Sequence, residues 1–318
     1  MEKISVIIPA YNAEKTIQRC IESIEVAGKC DLFDFELIVV NDGSTDNTLQ
    51  IVETLQATYK NINVISQENK GPAGSRETGL RNATGDYIAH CDSDDWVTPE
   101  WLSHLYNNIK KYDADISVCR AIIDNKFIKY NPQEIELWNR DEAIGEFIIH
   151  KKLNGCLWNK LIRRELFDGI SFSPEMWYWE DLYVVWKVLQ RVNKVVRCNE
   201  GTYHYVIHPE SICAQPINEN RLYCTLKVWD MIVADCLNYY PHHLNAAQVM
   251  REKSLLGGLK QMVRSNFKHE EYEEKILNIL HDGGLKNIVK MDSFIDKFFA
   301  IAMMICPKCV RKLYNFFH

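Results

Sequence analysis

The sequence predicts an α/β fold built on a mainly parallel sheet. Two observations predict it. Short β-branched runs alternate with helical patterns through the first 120 residues, and three of those runs end in dense polar clusters. Alternation of this kind implies parallel strands buried on both faces, with helices as crossovers.

The elements follow in order. Ser5 to Ile8 is a strand. Glu14 to Val26 places Ile17, Ile21 and Ile24 on one helical face. Phe35 to Val40 is a second strand, and Thr48 to Tyr59 a helix with Ile51, Val52 and Leu55 inward. Val64 and Ile65 mark a third strand, Ser75 to Asn82 a helix, and Tyr87 to Cys91 a fourth strand. Glu100 to Tyr112 is helical, and Ile116 to Cys119 is a strand. The rhythm then changes. Arg140 to Lys151 and Asp181 to Arg191 read as helices. Cys156 to Trp158, Val195-Val196 and Tyr203 to Val206 read as short strands. From about residue 217 the chain is mostly helical. This gives three regions, 1–120, 121–215 and 216–318, without repeats or low-complexity linkers.

Composition is that of a folded protein. The chain has 318 residues, 47% hydrophobic and 25% charged, enough for about two domains and a sizeable core. A net charge of -6 excludes a generally basic nucleic-acid binder. The N-terminal residues carry no basic n-region followed by an apolar h-region, and no uncharged apolar stretch approaches about 18 residues. The 11 scattered cysteines read as reduced core thiols of a cytoplasmic protein. Cys306-Pro-Lys-Cys309 has zinc-like spacing, but no second ligand pair completes it.

In open α/β sheets the site lies at the carboxyl ends of the strands. Those ends read Pro9-Ala10-Tyr11-Asn12, Asn41-Asp42-Gly43-Ser44-Thr45-Asp46 and Cys91-Asp92-Ser93-Asp94-Asp95. Ser44, Thr45 and Asp46 suit turn chemistry and helix capping. The three carboxylates Asp92, Asp94 and Asp95 repel one another unless a cation sits among them. Carboxylates two apart in a loop suit Mg2+ or Mn2+, which also takes phosphate oxygens.

These motifs, in order, together with Gly71-Pro72-Ala73-Gly74-Ser75-Arg76, resemble the family 2 glycosyltransferases of GT-A fold, a Rossmann-like nucleotide-sugar-binding domain. The resemblance covers about the first 115 residues. Trp158-Asn159-Lys160-Leu161 and Glu180-Asp181-Leu182 resemble acceptor-side segments of bacterial members. The resemblance implies that Pro9, Tyr11 and Asn12 line the nucleotide pocket. It implies that Asp42 accepts a pyrimidine N–H, most often of uracil, and that Arg76 lies near the diphosphate. Asp92, with Ser93 beside it, is expected at the ribose. Asp94 is expected to ligate Mn2+ or Mg2+, and Asp95 to stand behind it or on the acceptor side. Asp181 is expected to be the general base, with Glu180 as its rival. His208 falls near the position of a family arginine and is a phosphate or metal candidate; a plain loop histidine is the alternative. His90-Cys91 departs from the apolar residues usual there.

The resemblance therefore implies an inverting, metal-dependent transfer from a UDP-sugar to a saccharide or lipid-linked saccharide hydroxyl, in cell-surface glycan assembly. Two alternatives stand beside it. One is a saccharide-binding or scaffold protein without catalysis; intact Asp42, Asp92, Asp94 and Asp181 speak against it. The other is a sugar nucleotidyltransferase, whose Gly-rich loop is absent after the first strand. Finally, Phe294 to Cys306 is apolar, too short to span a bilayer, and followed by Lys308, Arg311 and Lys312 with Tyr314, Phe316 and Phe317. It suits a membrane-surface segment on the inner face of the plasma membrane, a homodimer contact, or a helix packed on the protein itself.

Overall fold

The computed structural model describes residues 1–123, 131, 133–208, 215–288, 290 and 293–310. The chain forms two compact units. One comprises residues 1–147 and 151–209, the other residues 148–150 and 210–318.

Among the described residues, the first unit is built on nine strands: β1 (Lys3–Ala10), β2 (Asp34–Asp42), β3 (Ile62–Gln67), β4 (Tyr87–His90), β5 (Trp96–Val97), β6 (Ile116–Ile123), β7 (Ile135–Asn139), β8 (Lys160–Arg163) and β9 (Lys194–Tyr205). They join in the order β3-β2-β1-β4-β8-β6-β9-β5, with β7 also on β9. The first four are parallel, as are β6 and β9; β8, β5 and β7 pair antiparallel. In the centre, Ile4, Val6, Ile7, Ile8 and Leu37 to Val40 are buried whichever way they point. This is the signature of a strand covered on both faces. The covering helices are α1 (Ile17–Ala27), α2 (Thr48–Thr58), α3 (Gly71–Asn82), α4 (Trp101–Tyr112), α5 (Arg140–Ile149) and α6 (Glu180–Leu189). In α1, Ile17, Cys20, Ile21 and Ile24 form the inward stripe.

Three local expectations need correction. α3 begins at Gly71 rather than Ser75, because Pro72 is tolerated in a first turn, where no intrahelical N–H bond is lost. Cys156 to Trp158 is a loop and turn; the strand starts at Lys160. Val195-Val196 and Tyr203-His204-Tyr205 belong to one strand, β9, whose pairing with β6 breaks between them.

The second unit contains α7 (Glu219–Tyr239), α8 (Leu244–Arg264), α9 (Glu270–Ile288) and α10 (Phe294–Ile305). Its core joins Leu222 and Leu226 to Leu255, Leu259, Met262, Ile276, Leu280 and Met303. Among the described residues, no helix is long and apolar enough to cross a membrane. Phe294, Ile295, Phe298 and Ile305 of α10 are exposed. Cys306 and Cys309 lie side by side, with Cα atoms 5.3 Å apart. Arg311, Lys312, Tyr314, Phe316 and Phe317 lie outside the described residues, as do Pro209 to Ile212.

Candidate active site

The strand-end loops of β1, β2 and β4 converge. Asn12, in the left-handed region at φ 48°, ties the first two together. Its Oδ1 accepts the Thr45 N–H at 2.8 Å, and its N–H donates to Ser44 Oγ at 3.0 Å. Tyr11 beside it is exposed, and Pro9, next to last in β1, pairs with Val40. Asp42 is buried at the end of β2. Its Oδ1 accepts from Gln67 Nε2 at 2.6 Å and the Lys70 N–H at 2.9 Å. Among the described residues its Oδ2 accepts nothing.

α3 places Arg76 in the interior. Gly79 allows this: a Cβ there would lie 2.3 Å from Ile7 Cγ2, so only glycine lets the helix lie so close to β1. Gly71 opens the helix at φ 72° with the Trp177 ring against its Cα. Arg76 is buried, and its guanidinium joins two distant segments. Nη2 donates to Asp92 Oδ1 at 2.8 Å, and Nη1 donates to Glu180 Oε1. Nε has no partner among the described residues. Burial disfavours the guanidinium charge, but Asp92, Glu180 and Asp181 outweigh it and hold Arg76 firmly protonated.

The acidic loop after β4 splits by environment. Asp95 is fully buried. Its oxygens accept the Tyr203 hydroxyl at 2.6 Å and the Val206 N–H at 2.7 Å. Burial and then the nearby Asp92 charge push its carboxyl up to about 8. Asp94 is partly exposed, and burial with the Asp92 charge pushes it up to about 6, against the pull of His208 and Arg19. Arg19 Nη2 donates to the Asp94 carbonyl at 3.0 Å. Ser93, between them, is partly exposed. Ligand atoms of Asp92, Asp94 and Asp95 lie within 4.8 Å of one another. The nearby His208 has an inward Nε2 that makes no hydrogen bond among the described residues. Crowded carboxylates that resist ionisation beside an unsatisfied imidazole nitrogen fit a hard divalent cation such as Mn2+ or Mg2+.

Glu180 and Asp181 open α6, where carboxylates favour the helix dipole. Trp179 caps it at φ 66°, a conformation costly for a residue with a Cβ. Glu180 is buried on Arg76. Burial pushes its carboxyl up to about 7; Arg76 opposes the rise, and the Asp181 and Asp92 charges add to it. Asp181 is partly exposed, and its Oδ1 accepts the Leu182 N–H at 2.7 Å. Its Oδ2 accepts nothing among the described residues. Burial raises this carboxyl too, while Arg76 and Lys160 oppose the rise. Lys160 is fully buried, with Nζ on Asn154 Oδ1 at 3.1 Å and Asn159 Oδ1 at 2.8 Å.

Residues 5–170, more than half of the chain, match the sequence model of Glycosyl transferase family 2. The chain belongs to glycosyl transferase family 2. It is 37% identical over 289 residues to the glycosyltransferase YibD of Escherichia coli (strain K12), covering 88% of this chain and 78% of that protein. It is 28% identical over 297 residues to glycosyltransferase GlyA of Streptococcus pneumoniae, covering 88% of this chain but 42% of GlyA. In fold, this family 2 chain resembles S. aureus TarS 1-349 in complex with UDP-GlcNAc, at a TM-score of 0.69 and 22% identity over 98% of this chain and 91% of that one.

Several residues support this site although the sequence alone assigns them no role in it. Tyr203 is one: its hydroxyl also accepts the Asp92 N–H at 3.1 Å, so a single side chain holds both ends of the acidic loop. The signal available was an aromatic strand of unassigned role. His90 is another. It lies buried near Arg76 and beside Phe172, and burial first, then the Arg76 charge, keeps its ring neutral. Trp158 stacks on Tyr203 with ring centroids 4.7 Å apart, tying the turn before β8 to the acidic loop.

Proposed function

We propose that this family 2 glycosyltransferase moves a sugar from a UDP-sugar to a saccharide hydroxyl, with inversion at the anomeric carbon and a divalent cation. One observation carries the reading: Arg76 joins Asp92 of the acidic loop to Glu180, the neighbour of Asp181, in one buried ion network. Donor-side and acceptor-side carboxylates are thereby held on one framework.

Asp42 Oδ2 receives the uracil ring N–H, with Pro9, Tyr11 and Asn12 around the base and Ser93 near the ribose. Asp94, with Asp92 and His208, would hold Mn2+ or Mg2+. When bound, the cation neutralises charge that builds on the departing diphosphate. Arg76 keeps Asp92 oriented rather than serving the diphosphate as an open donor. Asp181 Oδ2 accepts the proton of the acceptor hydroxyl as the new C–O bond forms and the sugar–phosphate bond breaks. A single displacement of this kind inverts the centre, as in one-step glycoside hydrolysis. Residues 121–215 complete the acceptor side. The UDP donor is favoured by the likeness to a TarS complex with UDP-GlcNAc.

Glycan assembly at the cytoplasmic face is the proposed setting. The exposed apolar residues of α10 and the exposed Lys308 suit a lipid surface carrying a lipid-linked acceptor, with a homodimer as the alternative. Flotation with anionic liposomes separates these: lipid-bound protein supports the first, and unbound dimer overturns it.

The test of the main reading is release of the nucleoside diphosphate from a panel of sugar nucleotides with and without Mn2+. Turnover of one UDP-sugar, lost with EDTA and restored by Mn2+, is expected. Turnover confined to GDP- or CDP-sugars overturns the donor assignment, and undiminished turnover in EDTA overturns the metal.

A further inference from the structure

A second cluster of metal-ligating side chains lies apart from the acidic loop, where α4 meets β9. His104 of α4 and Cys198 and Glu200 of β9 bring one ligand atom each within 4.8 Å of one another. His104 Nδ1 is 3.0 Å from Glu200 Oε2.

The backbone at this point is irregular. Val118 pairs with Arg197 and Arg120 with Gly201, so Cys119 alone faces three residues of β9, Cys198 to Glu200. Bulges re-aim side chains and recur beside functional sites. The middle residue, Asn199, is clamped. Its Oδ1 accepts from Arg197 at 2.9 Å and Arg120 at 3.3 Å, and its Nδ2 donates to the Asn131 carbonyl at 2.9 Å. Alternation along the strand then sends Cys198 and Glu200 to the opposite side, toward His104.

We propose that His104 Nδ1, Cys198 Sγ and a Glu200 carboxylate oxygen bind Zn2+, with water in the fourth position. The donor set suits this ion: one imidazole, one thiolate and one carboxylate are borderline ligands that zinc accepts together. Metal–ligand bonds of about 2.0–2.3 Å need ligand atoms roughly 3.3–3.8 Å apart, so small side-chain rotations close the sphere. The outer contacts are also present. The other ring nitrogen, Nε2, lies 3.1 Å from Asn108 Nδ2, and a turned Asn108 amide would accept its proton. The Cys198 sulfur is buried while Glu200 is half exposed, so the ion has a wet entry and a dry anchor. Binding displaces the thiol proton of Cys198 to solvent and forms the sulfur–zinc bond. The ion would pin the bulge of β9 to α4 just upstream of Tyr203, a structural role independent of the transferase reading.

The experiment uses the full chain, reduced and stripped with EDTA, titrated with Co2+ as a spectroscopic stand-in and then with Zn2+. The expected result is a thiolate-to-cobalt charge-transfer band saturating at one ion per chain and bleached by Zn2+. Cys198→Ser should abolish the band. Glu200→Gln, at a half-exposed position that leaves the fold intact, should weaken Co2+ by about tenfold or more. Asp94→Ala should leave the band unchanged, because the acidic loop supplies no sulfur. A wild-type protein without the band, a band that survives Cys198→Ser, or an unchanged affinity in Glu200→Gln overturns the site.

Discussion

The Tyr203 hydroxyl donates to Asp95 Oδ2 at 2.6 Å, across 108 residues of chain. The same oxygen accepts the Asp92 N–H. The acidic loop is therefore held from β9, the far side of the sheet, as well as from its own strand. Tyr203→Phe keeps the ring and its stacking on Trp158 but leaves a buried carboxyl and a backbone N–H without this partner. The expected cost is about 1–3 kcal/mol of stability, read by urea unfolding. An unchanged midpoint would mean that water replaces the hydroxyl.

Arg76 is the second support. It is buried between Asp92 and Glu180 with Asp181 close by, so removing its charge strands carboxylates in the interior. Arg76→Gln should destabilise by about 3–5 kcal/mol, the range for breaking a buried pair. Arg76→Lys should recover only part of this, because an ammonium cannot fork to two carboxylates as a guanidinium does. Equal stability of the lysine variant and the wild type would show that geometry does not matter here.

Much of the first unit was legible in its sequence because parallel strands announce themselves. Ile4 to Ile8 and Ile38 to Val40 are apolar runs between turn signals, and the polar clusters after them gather at one edge of the sheet. The acidic motif was equally plain, since like charges gathered in one loop demand an explanation. What could not be read was the meeting of Arg76 with Glu180, 104 residues away. Nothing in local spacing specifies that pairing; it follows from how α3 and α6 pack. The same limit hid Tyr203, and it made one bulged strand look like two short ones. The α3 start was missed for a local reason: Gly71-Pro72 reads as a turn, yet it is also a sound first helical turn.

Glu36 provides a pH-dependent test of how β1, β2 and the loop before β4 are joined. Burial raises its carboxyl, but hydrogen bonds from Lys3, Ser5 and Thr84 reverse this and leave it below the usual 4.5. The Lys3 Nζ and Ser5 Oγ contacts are both 2.6 Å. A carboxyl lowered in the folded state contributes stability that is fully present above its unfolded value. That stability is lost as the pH falls through the folded value. Glu36→Gln should therefore be less stable than wild type at pH 7 by about 1.5–3 kcal/mol, the range for hydrogen bonds to a charged group. The gap should close as the pH drops below 4.5. A gap that stays constant into acid would sink this account.

In the proposed mechanism, one of two neighbouring carboxylates takes the acceptor proton. A sugar hydroxyl is a poor nucleophile near neutral pH because it holds its proton tightly. A carboxylate within hydrogen-bond reach can remove that proton as the bond forms, which contributes about 10²–10⁴-fold. Glu180 is poorly placed for this, since it is buried and spent on Arg76. Asp181 is partly exposed, has one oxygen on the Leu182 N–H and keeps the other available. Its carboxyl is raised by burial, which makes it a better base than an ordinary aspartate. Asp181→Asn preserves shape and should reduce transfer by about 10²–10⁴-fold, with UDP and Mn2+ affinity by calorimetry almost unchanged. Glu180→Gln should instead lower the unfolding midpoint together with activity, because it loosens Arg76. If Asp181→Asn loses UDP binding along with transfer, the residue belongs to the framework. If it retains transfer, the proton goes elsewhere, and Asp95, sealed behind Tyr203, is too buried to receive it without the loop opening.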